Sequence, residues 1–425
     1  MTTPSVARRH DVDWLRIFAT FMLFLFHGAM VFNPAPFYHV RNADLSIVMM
    51  IFAGFVSLWH MPLFFVLAGW SIHESFGRRG AAGFLRARWR RLFVPLLIGC
   101  VTLGPIIKYL ELRSGLDMGF SGLKVAPQLQ DSFRSVIPSG LDVAPPFNET
   151  FLEFLPTFFT QLDRFTWSHL WFVAYLFTFS VLYCGVFARL VRGRPRFEHM
   201  SEVWVYAPIA LLALVQVMLR PHWPGIQNLV DDWANFAYYS TFLFLGFMMA
   251  REPAYEAAVH REWRRALGVA LLAVLALLAA VLGVYSSEPV ILALTAVAGW
   301  CSIVFALGAA HRYLNRTGPV HRYLRESAFP VYILHQPALV VIGYVVVGLS
   351  LGIAAKFVLL VSLAIAATLA FYHLVVRYVP VLRLAYGMKP LSDDGRGSGL
   401  DTESVGGCEA ATSSSRGAGS PAHAA

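Results

Sequence analysis

Charge is scarce in this chain. Of its 425 residues only 14% are Asp, Glu, Lys or Arg, while 57% are apolar and the mean hydropathy is +0.59. That balance excludes an ordinary soluble enzyme of this length and leaves a polytopic membrane protein. Cysteine is scarce too. Cys100, Cys184, Cys301 and Cys408 lie far apart with no CxxC spacing, and three of them sit in apolar stretches, so neither a disulfide framework nor a zinc site is indicated. The chain also lacks an HExxH zinc helix, a Walker-type glycine loop and a dinucleotide fingerprint, and no metal or bound cofactor is expected. No internal repeat is evident, nor the matched halves of many transporters. The net charge of +9 would suit nucleic acid, but the basic residues cluster between apolar runs, where they act as topology signals. Nucleic acid is therefore not expected as a partner; the lipid bilayer is.

Ten apolar runs are long enough to span, near residues 13–33, 47–70, 92–112, 168–189, 203–219, 235–250, 266–284, 290–310, 328–349 and 354–376. The expected fold is all-α: an integral membrane helical bundle of about ten transmembrane helices. With the N-terminus cytoplasmic, the inner segments collect the arginines from Arg8 and Arg9 through Arg78, Arg79, Arg86, Arg88, Arg90, Arg91, Arg189, Arg192, Arg194 and Arg196. The same side then takes Arg251, Arg261, Arg264, Arg265, Arg312, Arg316, Arg322, Arg325, Arg377, Arg383 and Lys389. This bias favours an even number of crossings with both termini cytoplasmic. The first apolar run is longer than a signal-peptide core and is followed by Asn33-Pro34-Ala35-Pro36, a poor cleavage site, so it reads as a retained first helix. The outer connection 113–165, with Pro127, Pro138, Pro145 and Pro146, is long for a mere link and reads as either a disordered loop or a partly ordered platform. Residues 1–388 form the expected transmembrane domain, and the Gly/Ser/Ala-rich 389–425 an expected disordered cytoplasmic tail.

Few ionisable residues fall inside the apolar runs, and those that do are costly there. Arg16 and His27 are eleven residues apart, about 1100° of helix, which leaves roughly 20° between their faces and roughly 16 Å between their levels. They share one stripe, the arginine at the membrane edge and the histidine near the middle. Asp13 and Arg16, an i,i+3 pair, are neighbours on the helix. Packing alone would account for a topology-setting arginine with a satisfied carboxylate, or for a histidine bonded between helices. Against that, histidine is the side chain best suited to take a proton near neutral pH. Further polar candidates are His60 just before Pro62, His169 and Trp171 in Ser168-His169-Leu170-Trp171-Phe172, and His335 with Gln336 before Pro337. A polar group next to a proline kink suits a lined cavity better than lipid. Small Ala68 and Gly69 allow close helix approach. Arg88 and Arg91, one turn apart, suit an anionic group such as a phosphate, although for the pair taken alone a positive-inside anchor is the stronger reading.

The residues resemble the membrane-bound acyltransferase-3 family. Its signature is an arginine and a histidine separated by ten residues on the first helix, matched by Arg16-x10-His27. The resemblance continues with Arg88-x-x-Arg91 before Pro95 and with Phe64-Phe65-Val66-Leu67-Ala68-Gly69, where Ala68 departs from the family's usual serine. The motifs Ser168-His169-Leu170-Trp171-Phe172 and Leu334-His335-Gln336-Pro337 resemble the branch that includes the periplasmic-glucan succinyltransferases. Coverage runs from about residue 8 to 385. The resemblance implies transfer of an acyl group, acetyl or succinyl, from cytoplasmic acyl-CoA to a hydroxyl of an extracytoplasmic carbohydrate. In that reading Arg16, Arg88 and Arg91 position the donor, Asp13 orients Arg16, and His27 is the general base or itself takes the acyl group. His60, His169, Trp171, His335 and Gln336 line the cavity. Two rival readings stand beside it: a transporter or exporter of a polar or sugar-linked substrate, and a non-catalytic partner protein in glucan synthesis.

Overall fold

The computed structural model describes residues 9–35, 38–125, 146–193, 195 and 197–389. Arg8, Arg194, Arg196, Cys408, the stretch 126–145 of the long connection and the 390–425 tail lie outside the described residues. The described chain is all-helical, with no strand among those residues. We number the helices α1 (His10–Met30), α2 (Ile47–Arg88), α3 (Val94–Arg113), α4 (Phe151–Thr160), α5 (Trp171–Leu182), α6 (Cys184–Arg192), α7 (Val203–Tyr206) and α8 (Pro208–Leu219). The second half comprises α9 (Trp233–Arg251), α10 (Pro253–Val281), α11 (Glu288–Tyr313), α12 (Pro319–Val346), α13 (Ile353–Phe371) and α14 (Pro380–Ala385).

Helix covers each of the ten apolar runs apart from a few end residues, but fewer segments are long and apolar enough to cross a membrane unaided. There are six of these among the described residues, or seven when the bent pair α5–α6 counts as one span. The stretch Ile47–Arg113 holds two of the runs; at 67 residues it is far longer than one crossing needs, and a π-turn at Trp89–Phe93 leads from α2 into α3. Within α2, Gly80 adopts φ 65°, a left-handed conformation that glycine reaches without strain, and breaks the helix direction after Arg79. The run at 203–219 is divided between α7 and α8, and α9 carries Asn235, Tyr238, Tyr239, Ser240 and Thr241, which lower its hydropathy. These features explain why ten apolar runs do not yield ten independent spans. The described parts of the 113–165 connection are ordered. Thr150 and Glu153 form a reciprocal capping box at the start of α4, whose Phe154 and Phe158 pack on Leu112.

The core is built around α2. Gly69 of α2 and Gly246 of α9 let two backbones touch: a Cβ on Gly69 would lie 2.0 Å from the Leu243 carbonyl oxygen, and one on Gly246 would lie 1.9 Å from that of Val66. The obstacle in both cases is backbone, which cannot swing aside. The close approach expected from Ala68 and Gly69 is thus made by Gly69, with a glycine partner on α9. Gly246→Ala should destabilise the folded protein by about 1–3 kcal/mol or more through overpacking. Thermal unfolding in detergent reads this directly, and an unchanged melting temperature would refute the crossing.

Candidate active site

One end of the bundle gathers the start of α1, the starts of α10 and α12, and the end of α11. Arg9 pairs with Asp11 and Glu256, His311 reaches Asp11 at 3.3 Å, and the Trp14 indole donates to the Arg316 carbonyl at 2.9 Å. Burial works against the Arg9 cation, yet Asp11 and Glu256 outweigh it and hold the guanidinium above its ordinary pKa. On the next turn Arg16 donates to Asp13 Oδ1 at 3.0 Å and to the Ser71 hydroxyl of α2, also at 3.0 Å. The expected Asp13–Arg16 pair is therefore formed. Arg325 of α12 stands 3.8 Å from the other Asp13 oxygen, a partner that local spacing does not reveal. Arg88 lies within electrostatic reach of Arg16, Arg79 and Arg91 and stacks over Phe84 at 4.9 Å. Neither Arg88 nor Arg91 forms an ion pair among the described residues, so this end of the bundle presents guanidinium groups in need of an anion.

His27 sits in the other half of the molecule, on the wall of a cavity of about 480 Å³. The cavity is also lined by Tyr38, His39, His60, Ser168, His169, Trp171, Tyr239 and Gln336. Four of the five expected cavity residues thus face it; His335 lies behind, its ring 5.3 Å from that of His27 and 5.0 Å from that of His169. Arg16, Arg88 and Arg91 do not line this cavity, so the donor-type and base-type residues occupy separate levels of the bundle. The buried histidines differ in their duties. His60 bonds the Ala19 carbonyl at 2.7 Å and ties α2 to α1; His169 bonds the Ile333 carbonyl at 2.9 Å; His335 Nδ1 bonds the Tyr332 carbonyl at 2.5 Å. His27 does none of this. Its Nδ1 is buried without a hydrogen-bond partner among the described residues, and its ring stands against the rings of Phe26, Tyr38 and His335. A histidine kept for helix packing would be bonded between helices.

Several cavity residues escape a reading by local pattern. Tyr38 and His39 come from the 31–46 connection, which is pinned by Lys356 donating to Asn42 at 2.9 Å and by the Ser46 amide donating to the Phe32 carbonyl at 2.8 Å. The Tyr38 hydroxyl reaches Gln336 at 3.5 Å. Behind His39 lie Glu111 and Lys108 of α3, buried partners at i,i+3. The spacing rule that pairs Asp13 with Arg16 applies equally to Lys108 and Glu111, and was the available signal. Arg41 and Arg164 are engaged away from His27: Arg41 donates to the Pro34 carbonyl, and Arg164 binds Glu149 and Thr157. Two trios bring metal-ligand atoms within 4.8 Å, His10–Asp13–His321 and Asp11–His260–His311, but both carboxylates already hold arginines. The string Gly348-Leu349-Ser350-Leu351-Gly352 has nucleophile-elbow spacing yet forms an exposed turn between α12 and α13, without the preceding strand such an elbow needs.

The family model for an acyltransferase domain matches residues 9–373. Among curated proteins, the glucans biosynthesis protein C of Escherichia coli O139:H28 (strain E24377A / ETEC) is 22% identical, the alignment covering 92% of this chain and 97% of that protein. The protein of the same name from Escherichia coli strain K12 is likewise 22% identical over the same shares. No solved structure matches. The domain match takes in both the arginine end and the cavity: the chain belongs to the acyltransferase-3 family.

Proposed function

We propose that the protein transfers an acyl group from cytoplasmic acyl-CoA, across the bacterial inner membrane, to a hydroxyl of an extracytoplasmic carbohydrate such as a glucan. Both termini are then cytoplasmic and the arginine end faces the donor. The observation that carries this reading is His27. It lines a polar cavity, its Nδ1 has no structural bond, and it shares a helix face with Arg16 on the donor side. Arg88 and Arg91, without carboxylate partners, suit the phosphates of CoA, which planar guanidinium groups bind bidentately. His27 serves as base toward the acceptor hydroxyl. The cavity, lined by Tyr38, Trp171, Tyr239 and Gln336, offers the aromatic and amide surfaces against which a sugar packs. The name of the Escherichia coli relatives points to the same acceptor class.

The test is reconstitution. Full-length protein in vesicles, supplied with acetyl-CoA or succinyl-CoA and a glucan on the opposite side, should release free CoA and add the corresponding acyl mass to the glucan. Arg88→Ala and Arg91→Ala should each raise KM for acyl-CoA about tenfold, the loss of one charge-assisted contact, with kcat nearly held. Vesicles that move solute without releasing CoA would overturn the proposal in favour of transport.

A further inference from the structure

Three side chains at the cavity wall form a chain of hydrogen bonds that the reading above does not use. Ser168 Oγ lies 2.9 Å from His39 Nε2, and His39 Nδ1 lies 2.6 Å from Glu111 Oε2. His39 is 5% exposed and Glu111 1% exposed, while Ser168 and His39 both face the cavity. They come from three separate places: the 31–46 connection, the last turn of α3 and the 3-10 turn that precedes α5. The network assigns the proton positions. Glu111 Oε1 is taken by Lys108 at 2.6 Å and by the Met118 amide at 2.9 Å, which leaves Oε2 to accept the His39 Nδ1 proton. His39 Nε2 is then the lone-pair nitrogen, directed at the serine hydroxyl. Nucleophile, base and orienting carboxylate in this order are recognised by geometry, whatever fold they sit on.

The serine is also held in an unusual way. Its φ is 45°, left-handed for a residue with a side chain, and its amide is fixed by the Thr166 hydroxyl at 3.0 Å. Such a conformation is unfavourable for a residue with a side chain and persists where the surroundings impose it. A polar clasp joining α3 to α5 would explain the bonds. It would not explain why the serine is strained or why its hydroxyl and the base both front an open cavity.

We propose that Ser168 is a nucleophile of this protein, with His39 as its general base and Glu111 as a positioning residue, and that it carries the acyl group as a serine ester. This rests on the acyl-transfer reading for the identity of the acyl group. Ser168 Oγ bonds to the acyl carbonyl carbon as its proton passes to His39 Nε2. The bond from that carbon to the donor sulfur breaks, and the thiolate takes the proton from His39. In the return half, a carbohydrate hydroxyl gives its proton to His39, attacks the ester carbonyl and breaks the carbon–Oγ bond, and Ser168 regains its proton. No electron is gained or lost.

The experiment needs neither donor nor acceptor. Purified full-length protein in detergent is treated with a fluorophosphonate probe, and the adduct is located by peptide mass spectrometry. The expected result is labelling at Ser168, slowed by about 10²-fold or more in His39→Ala. Glu111→Gln should slow labelling and shift its pH profile, while Glu111→Asp restores most of the rate, which a purely structural carboxylate would not do. Ser168→Cys supplies a second reading. Its alkylation by iodoacetamide should be fast and should slow when His39 is also replaced. An unlabelled Ser168 in monodisperse protein, or equal labelling rates with and without His39, overturns the proposal. Loss of this site leaves a His27-dependent transfer standing, and a His27→Ala protein that still transfers leaves Ser168 labelling standing, so the two readings fail separately.

Discussion

Replacing His27 by alanine should lower acyl transfer by about 10²- to 10⁴-fold, the contribution of a positioned acid–base group. Expression and melting temperature should stay near wild type. The two halves of this expectation come from one observation. His27 makes no hydrogen bond among the described residues, so its removal severs no tie between helices and leaves no buried partner unsatisfied. It lines a cavity already open to other groups, so the lost volume adds to existing space. His60 provides the contrast, because His60→Ala leaves the Ala19 carbonyl without its 2.7 Å partner inside the bundle and should lower stability as well as activity. Transfer by His27→Ala membranes at near the wild-type rate would sink the assignment. Rapid-quench kinetics on the wild type add the chemical identity: a burst of CoA release before acceptor addition marks a covalent acyl-enzyme, with peptide mass spectrometry locating the acyl group on His27 or Ser168, and its absence marks direct base catalysis.

The helical character, the Arg16–His27 stripe and the Asp13–Arg16 pair were legible because each depends on spacing within one helix. The cluster of Arg16 with Arg88 was reachable only through the family likeness, since the two lie on different helices. The number of independent spans was not legible. Hydropathy finds apolar runs but not the break at Gly80 or the π-turn between the runs of α2 and α3, nor the 61° bend that splits α5 from α6. His39, Glu111 and Ser168 were missed for a related reason. Their contacts join residues 72 and 129 positions apart in sequence, and one of them comes from a proline-rich connection that pattern reading treats as a link. His60 and His335 were legible as polar residues in apolar helices but not in their duties. Only the backbone carbonyls they meet show these: His60 ties α2 to α1 through Ala19, whereas His335 bonds Tyr332 one turn back on its own helix.

Lys108→Met should be among the most damaging single substitutions outside the proposed chemistry. The ammonium is 0% exposed and donates to Glu111 at 2.6 Å and to Asp117 at 2.8 Å. Removing it leaves Glu111 buried beside another carboxylate, and stranding a buried charge costs about 3–5 kcal/mol. The double substitution Lys108→Met, Glu111→Gln removes both signs at once and should recover much of that loss, since Asp117 keeps Lys124. The coupling between the two changes is then the measured quantity, read from melting temperatures in detergent. Additive losses would show that the pair is not a unit. Acid provides an independent check. Burial works against the Asp117 carboxylate, but Lys108 and Lys124 outweigh it and hold its pKa below the usual range. A carboxyl group lowered in this way adds stability that is fully present above its unfolded value near 3.9 and is lost as pH falls through the folded value. Wild-type protein should therefore weaken below about pH 4, and Lys108→Met should show less of that weakening, because the attraction that lowered Asp117 has gone. The same substitution frees Glu111 Oε1, loosens the carboxylate that orients His39, and should slow fluorophosphonate labelling of Ser168 at temperatures where the protein is still folded.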